Sequence, residues 1–320
     1  KKNILNQNNS FKDTRTVAVS EGSKRFLDNL NLWRFLDQYA EPIKQINVYN
    51  RHPSNKIIFD NNNQNEKLGY VIENNKFSKV LFNNLKKFKN TKFLFGQNIT
   101  KINVKENFST TPLEDYIIKS KLIIASDGKN SNIKKIVGNK TFSKSYPESA
   151  LVVNFTHENK LNNTAYEIFY KTGPLAILPM KSKSGINKST IIWTNKPSFI
   201  KKITNSNKNF FSNIIEERIG DIVGKIIKIH STQEFPLSAH INDSFINKRL
   251  IYVGDSAHSI HPIAGQGWNL GVNDVKNLYE ISKNKKLNVG SEIFCKKYNS
   301  LSYNKAFQLY QITDKLNSHF

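Results

Sequence analysis

The sequence predicts an α/β fold joined to a second part that is largely an antiparallel β-sheet. Two stretches carry this prediction. From Arg249 to Val275, a short apolar run, a glycine-rich segment and helical spacing of apolar residues follow one another, which predicts strand, turn and helix. Between residues 146 and 234, β-type runs alternate with polar loops, which predicts an antiparallel sheet with one buried face.

The bulk composition narrows the class of protein. With 320 residues, the chain can form one large domain or two medium ones. No apolar run approaches the roughly 20 residues that a membrane-spanning helix needs. The single cysteine, Cys295, excludes an internal disulfide, makes a cysteine metal site implausible and fits a reducing compartment.

The net charge of +23 raises the question of a nucleic-acid partner. However, the basic residues are mostly lysines scattered among asparagines along the whole chain, a bias typical of an AT-rich genome, and we expect a bacterial one. We therefore expect no nucleic acid. A basic surface is nevertheless attracted to anionic lipid headgroups by about 1 kcal/mol for each well-placed lysine.

Further elements are predicted along the chain. Ser20 is a candidate cap for a helix whose apolar positions continue to Leu36. The runs INVYNR and KIIFD predict a hairpin, and the segment from Leu68 to Phe88 predicts a strand followed by a helix. The run KFLFGQNITKINV and residues 122–125 predict strands. Helices are predicted over 209–226, from Trp268 through the run LYEISKN to residue 284, and over 291–320.

The glycine-rich turn has the chemistry of a ligand site. Asp255 follows a predicted strand, where a carboxylate can hold a polyol hydroxyl. Gly265 and Gly267 allow the main chain to approach a flat ring closely. The N-terminus of the following helix would stabilise negative charge on such a ligand.

The segment GDSAHSIHPIAGQGWNLGVNDV resembles the second FAD-binding motif of class A flavoprotein monooxygenases. Its form HPIAGQGxNLGxxDV is similar to the ubiquinone-biosynthesis hydroxylases. The resemblance implies the para-hydroxybenzoate hydroxylase fold, with a three-layer α/β FAD-binding domain and a substrate domain with a largely antiparallel sheet. It also implies that Gly254 and Asp255 bind the FAD ribitol, and that Pro262 and His261 form the flavin-face environment as catalytic candidates. The cradle for the pyrimidine end would be the backbone of Gly265, Gln266, Gly267, Trp268 and Asn269.

Three other segments resemble the same family. Arg15, in a DxR pattern, would contact FAD at its phosphate or ribityl region, although it could also be a surface arginine before a helix. Asn74 would lie beside the flavin or, alternatively, cap a helix. Asp127 and Gly128, with Ser131 three residues on, resemble the DG motif that binds both FAD and pyridine nucleotide; Lys134 stands where the family has arginine.

The predicted antiparallel sheet resembles the family's substrate wall across from the flavin. Its candidate pocket residues, each of which could instead be ordinary core, are Tyr166, Phe169, Leu178, Met180 and Trp193. The resemblance assigns residues 1–45, 69–145 and 235–320 to a discontinuous FAD-binding domain, and 46–68 and 146–234 to the substrate domain. The expected GxGxxG fingerprint is absent, so we expect a fragment that lacks the first βαβ unit and a C-terminal tail.

Two other chemistries are weaker interpretations. His258 and His261 form HxxH, but no third ligand pattern accompanies them, so no metal is predicted. Ser256 lies between Asp255 and His258, but residues this close in one turn cannot form the geometry of a hydrolase triad.

The resemblance therefore implies an FAD-dependent monooxygenase that hydroxylates a polyprenylated phenol in ubiquinone biosynthesis through a flavin C4a-hydroperoxide. O2 would be the oxidant, with NAD(P)H or another donor as reductant. We expect a cytoplasmic enzyme, peripheral on an anionic inner membrane and near other ubiquinone-biosynthesis proteins. The alternatives are a flavin hydroxylase of a soluble aromatic and a non-catalytic basic binding protein.

Overall fold

A computed structural model describes residues 13–50, 56–60, 66–183 and 185–318. The strands are β1 (Thr16–Ser20), β2 (Glu41–Ile43), β3 (Gln45–Asn50), β4 (Lys56–Asp60), β5 (Gly69–Glu73), β6 (Asn103–Val104), β7 (Ser109–Pro112), β8 (Ile117–Ser120), β9 (Ile123–Ala125), β10 (Thr141–His157), β11 (Thr164–Tyr170), β12 (Gly173–Met180), β13 (Asn187–Asn195), β14 (Ile226–Asn242), β15 (Ile246–Asn247), β16 (Leu250–Tyr252) and β17 (His258–Ser259). The helices are α1 (Glu21–Asn29), α2 (Trp33–Leu36), α3 (Asn74–Leu85), α4 (Asn132–Val137), α5 (Pro197–Thr204), α6 (Lys208–Val223), α7 (Gly267–Ser282) and α8 (Glu292–Ser318).

The largest sheet has the strand order β17-β14-β10-β13-β12-β11-β3-β4. All its neighbouring strands are antiparallel except β3 and β11, which are parallel. The alternation of β-type runs predicted this antiparallel sheet. The predicted pairing of β3 with β4 is present, and β4 forms one edge of the sheet.

The two faces of this sheet have different neighbours. On β12, Leu175 and Ile177 are fully buried in a core that α5 and α6 complete with Ile200, Ile215 and other apolar side chains. The alternate residues of β12 point to the opposite face, where Pro174, Ala176 and Leu178 line a cavity. The twofold period of the strand thus separates the core from the cavity.

A second sheet brings two predicted motifs together. Strands β9 and β16 are parallel neighbours, with Ala125 paired to Tyr252. Because parallel strands end at the same edge, the segments that follow them, Asp127-Gly128 and Gly254-Asp255, both begin there. Tyr298 of α8 donates a hydrogen bond to the carbonyl of Tyr252 at 2.7 Å and so ties the long helix to this sheet.

The helix predicted after Ser20 is divided. The Ser20 hydroxyl accepts a hydrogen bond from the Ser23 N–H at 3.3 Å and caps α1, as predicted. The prediction of one continuous helix to Leu36 was wrong, because α1 ends at Asn29 and Asn31 has a φ of 56°. Asparagine tolerates this left-handed conformation, so the chain turns and restarts as α2.

The prediction of strands across KFLFGQNITKINV was also largely wrong, since only Asn103–Val104 pairs with a neighbour. Phe93 and Phe95 instead pack their rings on Phe82 of α3, with ring centroids 5.4 and 6.3 Å from it. Burial of these rings against a helix replaces the backbone pairing that their β propensity suggested.

No helix in the described ranges is both long and apolar enough to cross a membrane. The division of the chain into two domains stays a prediction.

Candidate active site

The segment after β16 contains more structure than the predicted single turn. A short 3-10 turn at Gly254–Ser256 leads to β17, and a second one at Pro262–Ala264 leads to α7. Gly254 and Gly265 each have a φ of 59°, a conformation that glycine adopts without steric cost. The predicted strand, glycine-rich turn and helix are therefore present, with β17 added between them.

Helix α7 packs directly on the first of these turns. A Cβ placed on Gly271 would lie 3.4 Å from the Cα of Gly254, so the two backbones meet at this point. The Gly254 N–H also donates a hydrogen bond to Oδ2 of Asp274, one helical turn further on, at 3.0 Å. The close backbone approach and this hydrogen bond hold the turn against the helix.

A buried pair strengthens that junction. The His258 ring is hydrogen-bonded through Nε2 to the same Asp274 oxygen at 2.7 Å, and the two side chains are 1% and 0% exposed. One carboxylate oxygen thus joins the turn, β17 and α7. Asp274 was not singled out by sequence, because its partners lie 16 and 20 residues away.

Asp255 occupies the exposed position of the turn. No hydrogen bond engages its carboxylate among the described residues, whereas Arg15 and Lys129 are its charged neighbours. Partial burial lowers the pKa of Lys129, and the Asp255 carboxylate opposes that shift. The carboxylate is therefore available to an incoming hydroxyl group.

Arg15 and Asn74 meet through Asp13. The guanidinium binds both Asp13 carboxylate oxygens, with its closest contact at 2.7 Å, and lies 5.0 Å from the ring centre of Phe235. The Asn74 amide donates to Asp13 at 3.1 Å and its N–H donates to the Arg15 carbonyl at 2.8 Å. Asn74 thus makes contacts other than the helix cap proposed as its alternative role.

The contacts among Asp13, Arg15 and Asn74 favour the charged forms of the carboxyl group and the guanidinium. Partial burial raises the pKa of the Asp13 carboxyl, but hydrogen bonds from Arg15 and Asn74 outweigh burial and hold it below its usual value. The hydrogen bond to Asp13 in turn raises the pKa of Arg15, and the nearby Asp255 carboxylate adds to that effect. The cluster therefore presents an arginine close to the exposed carboxylate of the turn.

The DG motif forms the N-terminal end of α4. Oδ2 of Asp127 accepts a hydrogen bond from the Ile133 N–H at 3.1 Å, and Ser131 caps the helix by accepting from the Lys134 N–H at 3.0 Å. Gly128 has a φ of 81°, and no described atom lies within 4 Å of its would-be Cβ. Asp127 is thus committed to the helix, whereas the Gly128 backbone faces open space.

Side chains at the N-terminus of α7 bind it to neighbouring elements. Asn269 accepts hydrogen bonds from the Ser20 N–H at 2.9 Å and from the Ser23 hydroxyl at 2.8 Å, and donates to the Ala18 carbonyl at 2.8 Å. Trp268 packs its ring edge-to-face on Phe77 at 5.0 Å. These side chains fasten the helix to β1, α1 and α3, so a ligand meets the backbone here.

The residues from His261 to Gln266 include a buried side chain and exposed ones. His261 is fully buried, accepts a hydrogen bond from the Ile263 N–H at 3.3 Å and packs against Tyr146 with ring centres 4.7 Å apart. Burial lowers the pKa of His261 to about 4, so its ring is neutral at physiological pH. Pro262 and Gln266 are exposed and, with Gly265, line the cavity, whereas the His261 ring does not.

The cavity has a volume of about 530 Å³ and lies between the large sheet and the glycine-rich turn. Its walls are mostly apolar, with side chains from β1, β3, β11, β12 and β13 and the segment Pro262–Asn269. Of the predicted pocket residues, Tyr166, Phe169 and Leu178 line it. Met180 and Trp193 are instead buried in the core, which was the alternative for each.

The comparisons with known proteins agree with this architecture. The sequence pattern of the family described as FAD binding domain matches residues 4–282. The chain belongs to the FAD binding domain family. It is similar to ubiquinone hydroxylase UbiL of Rhodospirillum rubrum, with 26% identity over 95% of this chain and 71% of the relative. It is also similar to 3-demethoxyubiquinol 3-hydroxylase of Escherichia coli, with 24% identity over 85% of this chain and 69% of that protein.

Solved structures confirm the fold. A probable FAD-dependent monooxygenase of Pseudomonas aeruginosa, pqsL, superposes with a TM-score of 0.80 over 96% of this chain and 86% of the other, at 12% identity. The predicted resemblance to the class A flavin monooxygenases and the predicted fold class are therefore confirmed. The chain spans 65% and 66% of the length of two other curated relatives.

The geometry fits FAD, the group after which this family is described. The Asp255 carboxylate is exposed and free of hydrogen bonds among the described residues, as a ribityl-binding group must be. No described atom lies within 4 Å of a Cβ built on Gly265, so a flat ring can approach the backbone there. The α7 N-terminus and the basic side chains of Arg15 and Lys129 suit the negative charge of the cofactor.

Proposed function

We propose that this protein is an FAD-dependent hydroxylase whose substrate is a polyprenylated phenol in ubiquinone biosynthesis. The observation that carries the proposal is the apolar cavity of about 530 Å³ whose wall includes Pro262 and Gly265 of the glycine-rich turn. A volume of this size is typical of small-molecule sites and accommodates an aromatic ring with part of an isoprenoid chain. The names of the similar proteins support the same substrate class.

Each element of the turn has a role in this proposal. Asp255 accepts hydrogen bonds from the ribityl chain, Arg15 and Lys129 balance the cofactor's charge, and the backbone from Gly265 to Asn269 binds the pyrimidine end. Bound FAD supplies the redox chemistry that activates O2, with NAD(P)H as the proposed reductant. The apolar walls exclude water from the reacting atoms, a condition that oxygen-transfer chemistry requires.

The other predicted residues have supporting roles. Pro262 faces the cavity and shapes the surface on which the substrate ring lies. His261 is a positioning residue, because its neutral ring accepts from the Ile263 N–H and holds the turn from inside. Asn74 positions Arg15 through its hydrogen bond to Asp13. Gly128, after the end of β9, leaves open space in which the cofactor can approach the backbone.

The proposed division of the chain agrees with the position of the cavity. Residues 1–45, 69–145 and 235–320 would hold the flavin, and 46–68 and 146–234 would hold the substrate. The cavity has lining residues from both sets, such as Gly265 from the first and Leu178 from the second.

We further propose that the protein works in the cytoplasm, peripherally on an anionic inner membrane beside other ubiquinone-biosynthesis proteins. Edge strand β4 exposes Ile57, Ile58 and Phe59 by 59%, 49% and 52%, and Phe59 also lines the cavity. An exposed apolar strand that contributes Phe59 to the cavity lining, on a chain with a net charge of +23, suits uptake of a substrate from a bilayer.

Flavin binding tests the first part of this proposal. The protein is mixed with FAD, and binding is followed by the shift in flavin absorbance. Loss of one charged hydrogen-bond partner in Asp255→Ala removes about 1.5–3 kcal/mol, which weakens FAD binding by roughly 10-fold to 100-fold. The control is Asp221→Ala, since Asp221 is an exposed residue of α6 on the far face of the sheet. Equal FAD affinity in Asp255→Ala and wild type would contradict the assignment.

A further inference from the structure

Glu167 lies on the sheet wall of the cavity. On β11 it stands between Val48 of the parallel strand β3 and Ala176 of the antiparallel strand β12. Its neighbours on the same face of β11 are Ala165 and Phe169, two positions before and after it. All five side chains line the cavity, so a single carboxyl group is surrounded by four apolar neighbours.

This carboxyl group has no partner. Among the described residues it makes no hydrogen bond or ion pair, and no other charged side chain lines the cavity. The strands on both sides contribute apolar groups, the turn contributes Pro262 and Gln266, and the other titratable group is Tyr166 on the same strand. Glu167 is half-buried, and a carboxyl group without a partner in such apolar surroundings is solvated less well than in water. A ligand that hydrogen-bonds to it therefore gains free energy on binding.

Burial raises the pKa of Glu167 to about 8. An ordinary glutamate is a weak base towards a phenol, whose pKa is about 10 when tyrosine serves as the guide. The raised pKa of Glu167 is closer to the pKa of the phenol, which makes proton transfer from the phenol to the carboxylate less unfavourable. The same apolar surroundings thus create both the unsatisfied group and its basicity.

We propose that Glu167 receives the proton of the substrate's phenolic hydroxyl, an inference that rests on the proposed hydroxylase function. In this step the phenolic O–H bond breaks, a new O–H bond forms on the carboxylate, and the negative charge moves from Glu167 to the phenolate oxygen. No electrons are gained or lost. The phenolate ring is richer in electrons than the phenol, so its carbon atoms react more readily with an electrophilic oxygen.

The position of Glu167 also determines how the ring lies. The hydroxyl group is held at β11, on the sheet wall, whereas Pro262 and Gly265 belong to the wall formed by the turn. The ring therefore has its polar edge at the sheet, and its isoprenoid tail occupies the apolar remainder of the cavity. Glu167 selects phenols over aromatic rings that lack a hydroxyl group.

The test compares Glu167→Gln with the wild type, each loaded with FAD, on a phenol that carries one short prenyl group. Glutamine keeps the volume and can hydrogen-bond but cannot take the proton. We expect kcat/KM to fall by about 100-fold or more, and the rise of the wild-type rate through about pH 8 to disappear. Glu167→Asp, which keeps a carboxyl group, should restore part of the rate. Near-ultraviolet circular dichroism verifies the fold of both variants.

A second readout needs no turnover. Titration of the bound phenol by its ultraviolet phenolate band, in protein without FAD, should show a higher phenol pKa in the wild type than in Glu167→Gln, because the Glu167 carboxylate opposes a second negative charge beside it. The control is Glu41→Gln, because Glu41 is also half-buried with a raised pKa but is hydrogen-bonded by Asn163 at 2.9 Å outside this cavity.

The outcomes separate this inference from the function on which it rests. A wild type that binds no FAD or hydroxylates no prenylated phenol contradicts the proposed function. A wild type that is active while Glu167→Gln keeps both its rate and its pH profile overturns the role of Glu167 alone. An unchanged phenolate titration in Glu167→Gln has the same meaning.

Discussion

Replacement of Asp274 by alanine should destabilise the protein and weaken its flavin site together. Oδ2 of Asp274 accepts from the Gly254 N–H at 3.0 Å and is hydrogen-bonded to the His258 ring at 2.7 Å. The alanine variant leaves the buried His258 ring and the half-buried Gly254 N–H without this partner, at about 1–3 kcal/mol each. The sum is about 2–6 kcal/mol.

Urea unfolding of the wild type and of two variants measures this effect. Asp274→Asn retains one acceptor oxygen and should lose about half as much stability as Asp274→Ala. Because Gly254 belongs to the turn that carries Asp255, FAD affinity should fall in the same order. Asp221→Ala, an exposed change on α6, should leave both quantities within about 0.5 kcal/mol of the wild type. A free energy of unfolding for Asp274→Ala within that same margin would refute the reasoning.

Three further changes have defined outcomes. The pKa of His261 falls to about 4 on folding, so stability should decline as the pH drops from about 6.5 to 4, by at most about 1.4 kcal/mol per unit, and His261→Phe should flatten this decline in acid unfolding curves. The pKa of Glu167 rises to about 8, so stability should fall as the pH increases from 4.5 to 8, and Glu167→Gln should remove that fall. A Cβ on Gly69 would lie 2.7 Å from the Val19 carbonyl oxygen, so Gly69→Ala should lower the thermal midpoint by several degrees; a change at the exposed Asn90 should not. Curves that keep the wild-type shape in the His261 and Glu167 variants, or an unchanged midpoint for Gly69→Ala, would contradict these expectations.

Local features of the sequence predicted much of the fold. The alternating runs of the large sheet, the Ser20 cap and the glycine-rich turn depend on neighbouring residues, and short-range patterns determine them. The helix break at Asn31 was missed because the apolar spacing continues through it, although the backbone does not. The aromatic cluster of Phe82, Phe93 and Phe95 was missed because it joins a helix to a loop.

Individual residues of the candidate site were predictable from motifs, whereas the contacts between residues distant in sequence were not. Asp255 and Gly265 stand out by motif, but the link from Arg15 to Asn74 through Asp13 spans 61 residues and depends on tertiary packing. Glu167 escaped notice because a glutamate in an alternating strand ordinarily faces solvent. Only the position of β11 inside the sheet, between β3 and β12, places its carboxyl group in the cavity.

The most direct measurement of the central proposal is product formation from a short prenylated phenol. The protein loaded with FAD is supplied with NADPH and isotopically labelled O2, and the molecular mass of the product is determined by mass spectrometry. We expect a phenol that has gained one labelled oxygen atom on its ring, with little product from Asp255→Ala. Absence of a hydroxylated product from the flavin-loaded wild type, or an unlabelled hydroxyl derived from water, would contradict it.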